Sequence, residues 1–155
     1  MTVGVQEDLL NLLRRGLINE FNEVSRRRQQ VIELRDADLT SARMEGADFR
    51  GVNLDGAKLI RAKMAGADFR GASLRFANLE GADLEGANFG NANLFSAYLG
   101  GARLSGANIY GADIEAAVLP DDIRAEEVTL AQSVGTRLRH DPTVALLRKL
   151  LEARA

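Results

Sequence analysis

Cysteine and tryptophan are absent from the 155 residues, proline occurs twice, histidine once, and aromatic side chains make up only 5%. Without thiols there is neither a disulfide framework nor a thiolate metal site. The single histidine, His140, argues against an imidazole metal centre or a His-based catalytic triad, so no metal or cofactor is expected. No apolar run approaches the roughly 18 residues of a membrane span, and Met1 to Leu10 lacks the basic start and continuous apolar stretch of a secretory signal. A cytoplasmic location is the expectation. A marked excess of one charge is also missing, because 20 basic residues against 22 acidic ones leave −2. That balance excludes a disordered polyelectrolyte and speaks against a strongly basic nucleic-acid binder. Neither a Gly-Lys-Ser/Thr phosphate loop nor a Gly-X-Ser-X-Gly elbow occurs.

What the chain has instead is a period. Every fifth residue from Leu34 to Leu119 is large and apolar, eighteen positions in all, filled by Leu, Met, Phe or Ile. Two residues before each of them stands Ala in sixteen of the eighteen cases, the exceptions being Ile32 and Val52. The residue directly before is usually polar, as at Asp38, Asp48, Asn53 and Asn88, and the residue two after is Gly in ten cases. A spacing of five matches neither the 3.6 of a helix nor the 2.0 of a strand. The chain must therefore turn a corner in every repeat, one large side chain and one Ala pointing inward while Gly, Asn and Asp serve the turns.

A longer period lies on top of the first. In blocks of twenty, Met44 aligns with Met64, Phe49 with Phe69 and Phe89, and the string Ala-Asp-Phe-Arg-Gly at 47–51 with the same string at 67–71. Four five-residue units thus make one turn, and eighteen units make about 4.5 turns, a stack roughly 22 Å tall at strand spacing. The runs Ala82-Asp83-Leu84-Glu85-Gly86 and Ala87-Asn88-Phe89-Gly90-Asn91 resemble the pentapeptide repeat family, and the resemblance covers residues 31–121. It implies an all-β solenoid, a right-handed quadrilateral parallel β-helix with four pentapeptides per coil. Phe49, Phe69, Phe89 and Ile109 would then form one internal ladder beside Ala47, Ala67, Ala87 and Ala107.

An open solenoid exposes sheet edges and core at both ends, so caps are expected in residues 1–30 and 121–155 around a repeat domain at 31–120. Leu9, Leu13, Leu17, Phe21 and Val24 put one apolar face on a helix over 6–29, with Gly16 as its weak point and Arg26, Arg27 and Arg28 suiting its C-terminus. After Pro120, Ile123, Val128, Ala131, Val134 and Leu138 form a looser stripe interrupted by Gly135, and Asp141-Pro142 reads as a helix start. The leucines that follow, Leu146, Leu147, Leu150 and Leu151, either fold back on the stack or form a dimer seam. Two helical turns cannot persist alone in water.

Function is therefore expected at the surface. Stacked acids such as Asp48 and Asp68 are read as turn acceptors rather than paired catalytic carboxylates, and a filled solenoid offers no obvious catalytic pocket. Residues 31–120 hold twelve acids and nine bases. The bases gather before residue 76 (Arg43, Arg50, Lys58, Arg61, Lys63, Arg70, Arg75), whereas Glu80, Asp83, Glu85, Asp113 and Glu115 afterwards face only Arg103. Some members of the family are understood as mimics of duplex DNA that inhibit or protect topoisomerases such as DNA gyrase. That role needs a long, strongly acidic rod, so it is the second reading here. The first is a noncatalytic scaffold that binds a protein partner, as a homodimer or as a subunit of a larger assembly. Phe76 and Phe95 fall on outward phases of consecutive turns beside Arg75, whereas Tyr98 and Tyr110 point outward on other sides. These aromatics are either interface anchors or ground covered by a flanking helix.

Overall fold

The computed structural model describes residues 3–123 and 125–134. Helices α1 (Val3–Arg14) and α2 (Ile18–Arg27) precede the repeats, and α3 (Ala125–Val134) follows them. Between them the backbone pairs in parallel with itself at a fixed offset of twenty residues. Glu33, Asn53, Ser73, Asn93 and Asp113 form one column, and Asp38, Lys58, Asn78, Tyr98 and Val118 the next. Arg43, Lys63, Asp83 and Arg103 form the third, and Asp48, Asp68, Asn88 and Asn108 the fourth. Each column is one side of the coil and contributes a single residue pair per turn, because the corners leave no room for a longer strand.

The corners explain the glycines. The N–H of Ala57 bonds the carbonyl of Leu54 at 3.0 Å, closing a β-turn whose third residue, Gly56, has φ +69°. That position of a turn demands a left-handed backbone, which glycine adopts without steric cost. Between turns of the stack, Asp68 N–H donates to Ala47 O at 2.9 Å and Phe49 N–H to Asp68 O at 2.9 Å, and the pattern recurs along the solenoid.

Inside, Phe49, Phe69 and Phe89 stack at 5.1 and 4.8 Å between ring centroids, with interplanar angles of 11° and 2°. The large residues from Leu34 through Ile109 are buried, and so are Ala37 through Ala112 on the other inward phase. α2 extends the ladder by one ring, since Phe21 lies 5.3 Å from Phe49.

The ends of the stack are met by side chains that stand in for a missing coil. Below the first turn, Asn22 Oδ1 accepts Asp48 N–H at 2.7 Å, Ser25 Oγ donates to Asp48 O at 2.7 Å, and Arg14 Nε donates to Asp38 O at 3.3 Å. At the other end Gln132 Nε2 donates to Ala112 O at 2.9 Å, and Ile123, Val128 and Ala131 are buried.

The sequence predicted a single helix over 6–29; the structure breaks it. Gly16 takes φ +68°, α1 ends at Arg14 and α2 begins at Ile18, so the apolar phase is reset. Leu9, Leu10 and Leu13 are buried on α1, and Phe21, Asn22 and Ser25 on α2, whereas Val24 is turned outward at 41% exposure. His140, Asp141-Pro142, Leu138 and the leucines Leu146, Leu147, Leu150 and Leu151 lie outside the described residues.

Candidate interaction surface

The corner that carries Arg75 and Phe76 is built differently from its neighbours. At many other corners an Asp or Asn accepts the backbone N–H two residues on, as Asp38 does for Thr40 and Asn93 for Phe95, at 3.1 and 2.9 Å. Ser73 occupies that place here and its shorter side chain turns elsewhere. Asp55 Oδ1, one turn below, accepts both the Ser73 hydroxyl at 2.5 Å and Arg75 N–H at 3.1 Å. The corner thus keeps its acceptor, borrowed from the preceding coil.

Phe76 follows with φ +58°, a conformation bulky side chains avoid, and it remains 58% exposed. Its ring meets that of Phe95 edge to face at 5.6 Å, and the Arg75 guanidinium lies 5.6 Å from the Phe76 centroid and 5.8 Å from that of Phe95. A left-handed residue costs about 1–2 kcal/mol. An aromatic pair returns about 0.5–1.5 kcal/mol and an exposed cation–π contact about 0.5–1 kcal/mol. These terms roughly cancel, so the corner gains the fold little stability.

Of the other aromatics, Tyr98 sits on the adjoining side at 42% exposure with its ring across Gly100, where a Cβ would meet it at 2.7 Å. Tyr110 is 50% exposed on a different side, past Asn108. Neither makes a ring contact with the Phe76–Phe95 pair, so the structure brings together Arg75, Phe76 and Phe95 and leaves the two tyrosines apart. Asp55, which sequence reasoning missed, is what holds Arg75; the signal was Ser73 in a column otherwise filled by Glu, Asn and Asp.

The charge gradient of the sequence is reduced by local pairing. Arg50 binds Asp48 at 2.7 Å and Arg70 binds Asp68 at 2.6 Å, with Arg50 to Asp68 at 3.8 Å joining the rungs. Hydrogen bonding to Arg50 holds the Asp48 carboxyl below the usual carboxylate range despite the burial that opposes it. Arg103 bridges Asp83 and Glu85 at 3.5 and 2.7 Å. Lys58, Arg61, Lys63 and Arg75 form no ion pair among the described residues, and neither do Glu80 and Glu115.

Among the described residues there is no cluster of acids and histidine that could hold a metal, and no helix is long and apolar enough to cross a membrane. A shallow, open hollow of about 270 Å³ is lined by Glu23, Val24, Arg27 and Arg28, and Glu23 is tied to Arg27 at 2.9 Å.

Side columns whose rungs are twenty residues apart, turned corners and a ladder of inward rings define a repeat solenoid of square section. Pentapeptide repeats match residues 32–71, 53–91, 72–111 and 87–119, eight copies in all, and the chain belongs to the pentapeptide repeat family, whose members form right-handed quadrilateral β-helices. A crystal structure of the pentapeptide repeat protein Rfr23 from the cyanobacterium Cyanothece 51142 is 33% identical, with TM-score 0.58, and the match covers 61% of this chain and 64% of that one. A pentapeptide repeat protein from the thylakoid lumen of Arabidopsis thaliana is 31% identical, with TM-score 0.58, over 74% of this chain and 81% of that one. QnrB1, a plasmid-mediated fluoroquinolone resistance protein, is 27% identical over 77% of this chain and 68% of its own, with TM-score 0.39. No curated protein matches the chain significantly.

Proposed function

We propose that this chain is a noncatalytic protein-binding module, a stiff column capped by α1, α2 and α3, that offers the Arg75–Phe76–Phe95 corner to a partner. The observation that carries the reading is Phe76: a large ring kept 58% exposed at φ +58°, on a phase where glycine is the usual occupant. Unsatisfied apolar surface beside a cation free of carboxylates is the composition of an interface anchor, where aromatics and arginine dominate binding energy. DNA mimicry is the weaker reading, because Arg103 sits between Asp83 and Glu85 and four cations without an ion pair among the described residues share the surface. A supercoiling assay without inhibition of the topoisomerase is its expected result.

The test replaces both rings, Phe76→Ser with Phe95→Ser. Circular dichroism should keep the wild-type β spectrum, since both side chains lie outside the core, while affinity capture from the native host followed by mass spectrometry loses the wild-type partner. An unchanged set of partners ends this reading.

A further inference from the structure

The columns that meet at this corner are complementary to their own inverse. Going up the stack one turn at a time, the residue after the large apolar position is Arg75, then Phe95, then Glu115, and the next residue is Phe76, then Ser96, then Ala116. Backbone bonds fix this register: Phe76 N–H donates to Phe95 O at 3.0 Å and Ser96 N–H to Glu115 O at 2.9 Å. Over these three turns the first column reads cation, ring, anion, and the second reads large, small, smallest, above Asp55 and Gly56 on the turn below. Arg75, Phe76, Glu115 and Ala116 are exposed, and neither Arg75 nor Glu115 makes an ion pair among the described residues. Two turns separate them, roughly 9–10 Å at strand spacing, which is too far for a direct contact.

We infer that the partner of this corner is a second copy of the same chain, lying antiparallel about a two-fold axis perpendicular to the stack through Phe95. A two-fold rotation there exchanges the turn below Phe95 with the turn above it. Arg75 of each copy then faces Glu115 of the other, Phe95 faces Phe95, and the protruding Phe76 ring faces Ala116, the smallest of the three residues on these turns. One operation satisfies two independent patterns, charge and size, as an isologous contact requires. The inference rests on the reading that this corner is an interaction surface and adds the identity of what it binds. Contact along one edge of the column is small, so the dimer belongs with weak, salt-sensitive associations.

Sedimentation velocity over a concentration series tests it. Wild type should associate reversibly, and less so in high salt. Arg75→Glu and Glu115→Arg each put like charges opposite one another twice per dimer, so each alone should weaken association by about tenfold or more. An equimolar mixture of the two single variants should recover it, because every facing pair is then opposite in sign, and the double variant should recover it within one chain. Recovery on mixing also shows that both variants are folded, since a misfolded chain has no surface to restore. Three results overturn the inference: a wild type that stays monomeric throughout, a dimer indifferent to Arg75→Glu and so held by another surface, or single variants that fail to recover on mixing. If self-association is missing but Phe76→Ser with Phe95→Ser still abolishes capture of another protein, the interaction surface stands and its assignment to a second copy falls.

Discussion

Asn22 Oδ1 accepts the backbone N–H of Asp48 at 2.7 Å, in the place where the next turn has Ala47 O accepting Asp68 N–H at 2.9 Å. A side-chain amide on α2 thus impersonates a peptide of the coil that would lie beneath. Its NH2 group donates to Gly46 O at 3.1 Å as well. Removing it strands a buried donor, and an unsatisfied buried N–H costs about 1–3 kcal/mol. Asn22→Ala should lower stability by that amount. Hydrogen exchange should find the Asp48 amide less protected, while amides between the Phe69 and Phe89 turns keep their wild-type rates.

Turn glycines divide into two kinds that mutation can separate. Gly46 and Gly56 both have φ +69°, but a Cβ on Gly46 meets nothing within 4 Å, whereas one on Gly56 collides with Asp36 Oδ1 from the turn below. Gly46→Ala should therefore show only the left-handed backbone cost, about 1 kcal/mol. Gly56→Ala should cost more, and the excess should vanish in an Asp36→Ala background. Chemical denaturation of the four variants measures the coupling.

Acid stability should report on the Asp48–Arg50 rung. The folded-state pKa of Asp48 is depressed, first by its hydrogen bond to Arg50. A depressed carboxylate contributes stability that is fully present above its unfolded pKa, about 3.9, and is lost as pH falls toward the lower folded value. Asp48→Asn should be less stable than wild type at neutral pH by about 1–2 kcal/mol, the scale of a charge-assisted hydrogen bond. The gap should begin to narrow below about pH 4, where the unfolded chain takes up a proton at Asp48, and close only as the pH falls past the depressed folded value. Thermal melts at pH 7 and pH 3 distinguish this from a difference that is the same at both.

Much of the architecture was open to reading because a period of five repeats the same small decision many times. Leu, Met or Phe inward, Ala inward two places earlier and Gly at the corner leave one way to wind, and the alignment of Phe49, Phe69 and Phe89 at twenty-residue intervals already placed those rings in one ladder. The same spacing put Phe76 and Phe95 on successive turns. The ends were less legible. Gly16 was visible as a weak point, but the reset of helical phase after it, which faces Val24 outward and Asn22 and Ser25 inward, depends on what the first coil leaves unpaired.

Sequence alone thus determined the winding, because local turn preference and burial agree in every repeat. It could not determine which polar groups close the lower edge, or that Asp55 would accept the Arg75 backbone N–H at the corner whose guanidinium lies over two rings. Those contacts join residues twenty to twenty-six places apart, through side-chain rotamers that no spacing encodes. Only the stacked turns bring them within hydrogen-bonding distance, and there an unpaired backbone group makes the choice.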